Sequence, residues 1–211
     1  MNVQDYLDLV DFRRRVGDAY RSGSLEAWRA ARDSLFREHP QSPIPPEQRA
    51  AFRGVPWFPP DPAYRVAARL EAGDGDPLEI DTGGEDGVVR YRRAGTLRFE
   101  LEGRELGLTV LWIVGYGGGL FLPFRDATSG EETYGGGRYL FDTIKNTDAG
   151  CLEITPGSPE LTIDFNWAYH PSCVYNPRYA CPLAPLENRL TLPIRAGERL
   201  QEEKVPGPPS P

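Results

Sequence analysis

Apolar residues change their spacing once along this chain, and the change divides it. From Tyr6 to Tyr20 they recur every three or four positions, at Tyr6, Leu9, Phe12, Val16 and Tyr20. That spacing collects them on one face of a helix. Asp5, Asp8 and Asp11 lie early, while Arg13, Arg14, Arg15 and Arg21 lie late, the order that suits the helix dipole. Ser22-Gly23-Ser24 breaks the pattern. Ser24 can cap a second helix with Leu25, Trp28, Ala31 and Leu35 on its apolar face, ended by His39-Pro40. Pro45-Pro46-Glu47-Gln48-Arg49 predicts one further short helix, with proline at its first positions.

After Gly54 the period falls to two. Trp57 to Pro62 is a stiff connector; then Tyr64, Val66, Ala68 and Leu70 alternate with polar neighbours. So do Leu97, Phe99 and Leu101, and then Leu106, Leu108, Val110, Trp112 and Val114. Glu102 to Glu105, around Gly103, reads as a hairpin turn. Gly115 to Gly119 is a second turn, feeding a strand from Leu120 to Phe124; Asp126 to Glu131 is a third, feeding Thr133 to Phe141. Leu161, Ile163, Phe165, Trp167 and Tyr169 share one face of a last long strand, opposite Thr162, Asp164, Asn166, Ala168 and His170. Strands joined by short glycine turns predict an antiparallel meander, which buries its apolar face only by closing or by meeting a second sheet. The expected fold is therefore mainly β within the α+β class: an antiparallel β-barrel or sandwich preceded by two or three N-terminal helices. Its expected core includes Leu108, Val110, Trp112, Phe165 and Trp167. The expected organisation is a helical segment over 1–54 packed on a β domain over 55–198, with a long C-terminal loop. A disordered Pro-rich tail over 199–211 completes it.

Composition narrows the function. The net charge of −7 argues against a general phosphate-backbone binder, so no nucleic-acid partner is expected. No stretch approaches the roughly 20 apolar residues of a spanning helix, and the first residues lack a signal peptide's charged and apolar regions. No membrane partner is expected, and a cytoplasmic location is. Three cysteines then favour free thiols or a metal site over a disulfide framework. Lysine occurs only at Lys145 and Lys204, against many arginines. A heat-adapted source or a GC-rich genome would each produce that bias, and a melting curve separates them.

The candidate chemistry sits late in the chain. On a strand from Thr133 to Phe141, Glu132, Tyr134, Gly136 and Arg138 would share a face, leaving a bare glycine floor between an aromatic ring and a guanidinium. That is a seat for a planar or anionic ligand; the alternative is a bulge bending a barrel wall. Arg125 could clamp a carboxylate or phosphate, with Asp126 orienting it; otherwise Asp126 merely opens a turn. Asp164 and Asn166 would fix a ligand's polar edge, unless they are simply solvated. Gly115 to Gly119 is not followed by a helix or by Lys-Ser or Lys-Thr, so no phosphate loop is expected there. His170, Cys173 and Cys181 are weak metal candidates, with Cys151 as a possible fourth ligand, because zinc sites favour close ligand pairs. A Cys173–Cys181 bridge and two small buried side chains are the other options. No cofactor is expected.

The run Tyr134-Gly135-Gly136-Gly137-Arg138-Tyr139 is followed by Asp164-Phe165-Asn166-x-Ala168-Tyr169-x-Pro171-x-Cys173-x-Tyr175-Asn176-Pro177. Cys181-Pro182-Leu183 and Glu187-Asn188-Arg189-Leu190 come next. Together they resemble the uncharacterised prokaryotic family known as domain of unknown function 1684. Trp28-Arg29, His39-Pro40-Gln41-Ser42-Pro43, Phe52-x-Gly54 and Asp61-Pro62-x-Tyr64-Arg65 extend the likeness, roughly from Tyr6 to Glu198. The resemblance implies a single-domain prokaryotic protein and brings no reaction. It also implies that His170 stands where many relatives carry Asn, which speaks against a metal or nucleophile role for it. Asn and Pro residues of the pattern would either build a shared site or pin an irregular loop. Three functions follow as expectations. The first is a module binding an unknown small molecule through Arg125, Asp126, Glu132, Tyr134, Gly136, Arg138, Asp164 and Asn166. The second is a hydrolase-type enzyme with Asp126, Glu132 or Asp164 as acid or base and Arg138 as charge stabiliser. The third is a structural or interaction protein without a ligand. The oligomeric state is not legible.

Overall fold

Asn2 and Ser24 each start a helix by taking up an orphan backbone donor. Asn2 accepts the N–H of Asp5 at 3.0 Å, and the Asp5 carboxylate accepts the N–H of Asn2 at 2.7 Å, opening α1 (Val3–Arg21). Ser24 accepts the N–H of Ala27 at 3.2 Å and opens α2 (Leu25–Glu38). The computed structural model describes residues 2–84 and 87–201. The expected third helix is a 3-10 turn, Pro46–Ala51. The apolar face of α1 is buried only near its end, at Ala19 and Tyr20, while Tyr6 is exposed.

The strands are β1 (Arg65–Ala72), β2 (Pro77–Asp81), β3 (Val88–Leu101), β4 (Arg104–Ile113), β5 (Leu120–Phe124), β6 (Arg138–Asp142), β7 (Leu152–Ile154) and β8 (Glu160–Asp164). They form one antiparallel sheet in the order β6-β5-β4-β3-β1-β8-β7, with β2 on β3, curled into a half-barrel. Glu102 and Gly103, both at positive φ, close the β3–β4 hairpin where it was expected. Neither β2 nor β7 follows from the spacing of apolar residues.

Three expectations need correction. The strand from Thr133 shrinks to β6, because Thr133 to Gly137 turns back on itself. Gly130 donates to the Thr133 carbonyl at 2.8 Å, Gly137 donates to the Tyr134 carbonyl at 2.9 Å, and Gly137 takes φ +98°. Trp112 is 42% exposed. Opposite it, β3 carries a register shift between Arg93 and Gly95, and the inward face of β4 passes from Leu108 and Val110 to Leu111. The long strand from Leu161 ends at Asp164. There the carboxylate accepts the N–H of Asn166 at 2.9 Å and starts a 3-10 turn, Phe165–Trp167.

That turn lets two aromatic residues enter different layers. Phe165 packs inside the half-barrel against Phe99 and Phe124, at 5.6 and 5.3 Å between ring centres. Trp167 faces the helices, 5.6 Å from Tyr20 and 5.0 Å from Trp28. The chain then crosses to the other end of the sheet. Tyr169 exchanges two backbone bonds with Tyr139 of β6, at 2.9 and 3.0 Å. Further on, Arg125 donates to Asn188 and accepts from Leu190, both at 2.8 Å. Residues 165–198 thus span the open side of the half-barrel. Arg199 and Leu200 are still bonded, to the carbonyls of Pro56 and Glu132. The rest of the expected tail, 202–211, lies outside the described residues. Among the described residues, no helix is long and apolar enough to cross a membrane.

Candidate functional site

Arg138 is wholly buried at the start of β6. One terminal nitrogen donates to Asp126 at 2.9 Å and to the Ile194 carbonyl at 2.7 Å. The other donates to the carbonyls of Ala196 and Glu198. The Phe124 ring lies 5.2 Å beneath the guanidinium. Burial pulls the guanidinium's pKa down, and Asp126 opposes that. Asp126 is equally occupied: its second oxygen accepts the Thr128 N–H and hydroxyl and the Ile194 N–H. A buried ion pair needs partners for its remaining donors and acceptors; both terminal nitrogens find them, largely in backbone of the closing segment, while Nε has none among the described residues. Arg138 therefore faces residues 194–198 rather than a ligand space, and its carboxylate partner is Asp126, not Asp164.

A second buried network lies where the sequence offered no candidate. Glu198 is completely enclosed. One carboxylate oxygen accepts from Arg32 of α2 and from the N–H of His170, each at 3.0 Å; the other lies 3.1 Å from Nδ1 of His170. Burial acts to raise this carboxyl, but Arg32 and His170 outweigh it and hold it below the usual range. Nε2 of His170 accepts the N–H of Tyr134 at 3.1 Å, so a metal there would have to displace a backbone bond. Arg32 could have been flagged, since it follows Trp28 by one turn on the apolar face of α2. Glu198 gave no such signal, because it sits in an irregular segment.

The other predicted residues scatter. Asn166 bonds both the N–H and the carbonyl of Asp61, at 3.0 and 2.8 Å, tying the connector to the 3-10 turn. Asp164 accepts from Asn166 twice, and burial raises its carboxyl. Asn188 is buried and pins β4 and β5 through Thr109 and Pro123. Glu132 grips Arg195 bidentately at 2.7 to 3.0 Å near the surface. Gly136 is no open floor: a Cβ there would collide with Cε1 of Tyr134 and lie 2.8 Å from Leu183. The half-buried Arg125 acts on the Tyr134 hydroxyl from nearby. All three cysteines are free: Cys151 is buried, while Cys173 and Cys181 are half-buried. Among the described residues, no group of three His, Cys, Asp or Glu side chains could hold a metal.

A cleft of about 1080 Å³ opens beside the second network. Phe52 and Tyr175 supply aromatic walls, Glu47, Glu131 and Glu132 supply carboxylates, and His170 reaches its lining. Of the eight ligand-binding candidates named from sequence, Glu132 is the one that lines it.

The architecture defines an α+β module: a curled antiparallel half-barrel with two N-terminal helices, closed by its own C-terminal segment. The chain belongs to the family described as Protein of unknown function (DUF1684), which matches residues 50–199. It is similar to an uncharacterized protein of Haloarcula marismortui solved by solution NMR. That protein is 39% identical, with a TM-score of 0.62, over 85% of this chain and 94% of that one. No curated protein matches the chain.

Proposed function

We propose that the protein binds a small planar molecule, uncharged or basic, in the cleft between the Pro46–Ala51 turn and Glu131–Glu132. The observation that carries this is the cleft itself. Its volume of about 1080 Å³ is at the upper end of small-molecule sites. Aromatic walls suit a flat ring, and Phe52 and Tyr175 both pack against the Phe36 ring, at 6.2 and 5.0 Å between ring centres. Glu47 and Glu131 face the cleft against one lining guanidinium, Arg199, while Glu132 is already paired with Arg195, so the rim is on balance unfavourable to an anion. The anionic ligand considered from sequence therefore gives way to the planar one, since Arg138 is enclosed elsewhere.

A ligand-observed NMR screen of planar heterocycles, half of them basic and half carboxylated, tests this. Basic and neutral members should bind, and Phe52→Ala should weaken them several-fold while Glu79→Gln, on β2, leaves them unchanged. Hits confined to the carboxylated members, or indifferent to Phe52→Ala, would overturn the assignment.

A further inference from the structure

Two of the three cysteines share one patch of surface. Cys173 belongs to the 3-10 turn Ser172–Val174, and Cys181 follows a turn that Asn176 shapes. The Asn176 side chain accepts the N–H of Arg178 at 3.0 Å, and its carbonyl accepts the N–H of Tyr179 at 3.1 Å. Tyr139 secures the far end by donating its hydroxyl to the Pro182 carbonyl at 2.7 Å. Held this way, the two thiols lie within hydrogen-bonding reach of each other. The Cys181 sulfur also receives the backbone N–H groups of Cys173 and Ser172, and Lys145 lies near enough to add positive charge. Cys173 also meets the Tyr134 hydroxyl. Both cysteines are half-buried, so a small reagent can reach them. Cys151 is the contrast: it is buried, and its thiol is engaged by the carbonyls of Leu140 and Asp148.

Donors converging on one sulfur stabilise a thiolate. The hydrogen bond from the Cys173 thiol, helped by the two backbone N–H groups, holds Cys181 at about 6 against the effect of burial. Cys173 is pushed up, first by its bond to Cys181 and then by burial. At neutral pH one sulfur is a nucleophile and its neighbour keeps its proton.

We propose that Cys173 and Cys181 are a redox pair that reduces a hydroperoxide and closes into an intramolecular disulfide. The Cys181 thiolate attacks one peroxide oxygen; the S–O bond forms, the O–O bond breaks, and the departing oxygen leaves as water or alcohol after taking a proton. Cys181 is then a sulfenic acid. The Cys173 sulfur attacks it, the S–S bond forms, and the S–O bond breaks. The hydroxyl departs as water with the proton Cys173 gives up. Two thiols lose two electrons in total, and the peroxide gains them. Tyr134 is a positioning residue: its hydroxyl bonds the Cys173 sulfur as that proton leaves. An external thiol reopens the disulfide by exchange.

The test uses the full chain, reduced, desalted and treated near pH 7 with one equivalent of hydrogen peroxide, followed by intact-mass and peptide-mapping mass spectrometry. The wild type should lose two hydrogens and yield one peptide pair joined through Cys173 and Cys181, reversed by dithiothreitol. Cys173→Ser should stall as a sulfenic acid on Cys181, captured by dimedone, whereas Cys181→Ser should give no dimedone adduct. Tyr134→Phe should prolong the sulfenic acid and raise its capture. Without peroxide, iodoacetamide at pH 6 should alkylate Cys181 roughly tenfold faster than a free cysteine. The wild-type mass shift stands even if a variant misfolds. Untouched thiols, sulfinic acid without a disulfide, or a bond involving Cys151 would each overturn the proposal.

Discussion

Arg138 and Cys181 are both held by the same closing segment, and they differ in what they leave open. Around Arg138 every neighbour is a fixed partner: Asp126 on one side and the carbonyls of Ile194, Ala196 and Glu198 on the other. Around Cys181 the partners are as numerous, yet the residue is only half-buried and its thiol's charge state responds near neutral pH. A charged group with all partners inside is architecture. A titrating group with one face toward solvent is available for chemistry.

The contrast is most sharply broken at Arg138. Arg138→Met strands Asp126 and leaves buried carbonyls without donors, a loss on the order of 3–5 kcal/mol. Urea unfolding should show it, and a loss below about 1 kcal/mol would remove Arg138 from the architecture. Glu198→Gln comes next, at about 1.5–3 kcal/mol, because it weakens charged hydrogen bonds to Arg32 and His170. Its pH dependence has a definite sign. The folded carboxyl lies below its ordinary 4.5, so its contribution is complete above that pH and is lost as the pH falls through the depressed value. Stability measured from pH 6 down to pH 3 should therefore fall less steeply in Glu198→Gln than in the wild type.

Gly136→Ala sharpens the other side of the comparison. The new methyl must move the Tyr134 ring or Leu183, at about 1–3 kcal/mol. Its larger readout should be chemical, since displacing Tyr134 frees the Cys173 sulfur from its hydroxyl; dimedone capture after peroxide should rise as in Tyr134→Phe. The smallest effect belongs to Glu132→Gln. That pair with Arg195 is bidentate but sits near the surface, with the Arg195 side chain 55% exposed, so it should cost under about 1 kcal/mol in the same urea titration.

Much of the fold was legible because it is locally encoded. Ser24 caps α2, Gly103 turns the β3–β4 hairpin, alternation marks β1, β3 and β4, and the glycine turn before it marks β5. The short β2 and β7 were not, since strands of five and three residues carry too little periodicity. Asp164 misled the reading of its strand: alternation continued past it, but its side chain capped a 3-10 turn instead. The site was less legible still. Arg138, Asp126 and Asn166 stand out in the sequence as polar candidates, yet beside near neighbours they bond partners as far as 12 to 105 positions away. Asn188 answered one question the motif had raised: it pins loop to sheet by bonding Thr109 and Pro123.

Periodicity, caps and turn residues were enough to specify two helices and an antiparallel sheet, because each is a rule about neighbours within a few positions. Which polar groups became enclosed and which stayed reachable was decided when residues 165–198 folded back across the half-barrel. Burial and partner count are properties of that closure, and they depend on segments that the chain brings together only in three dimensions.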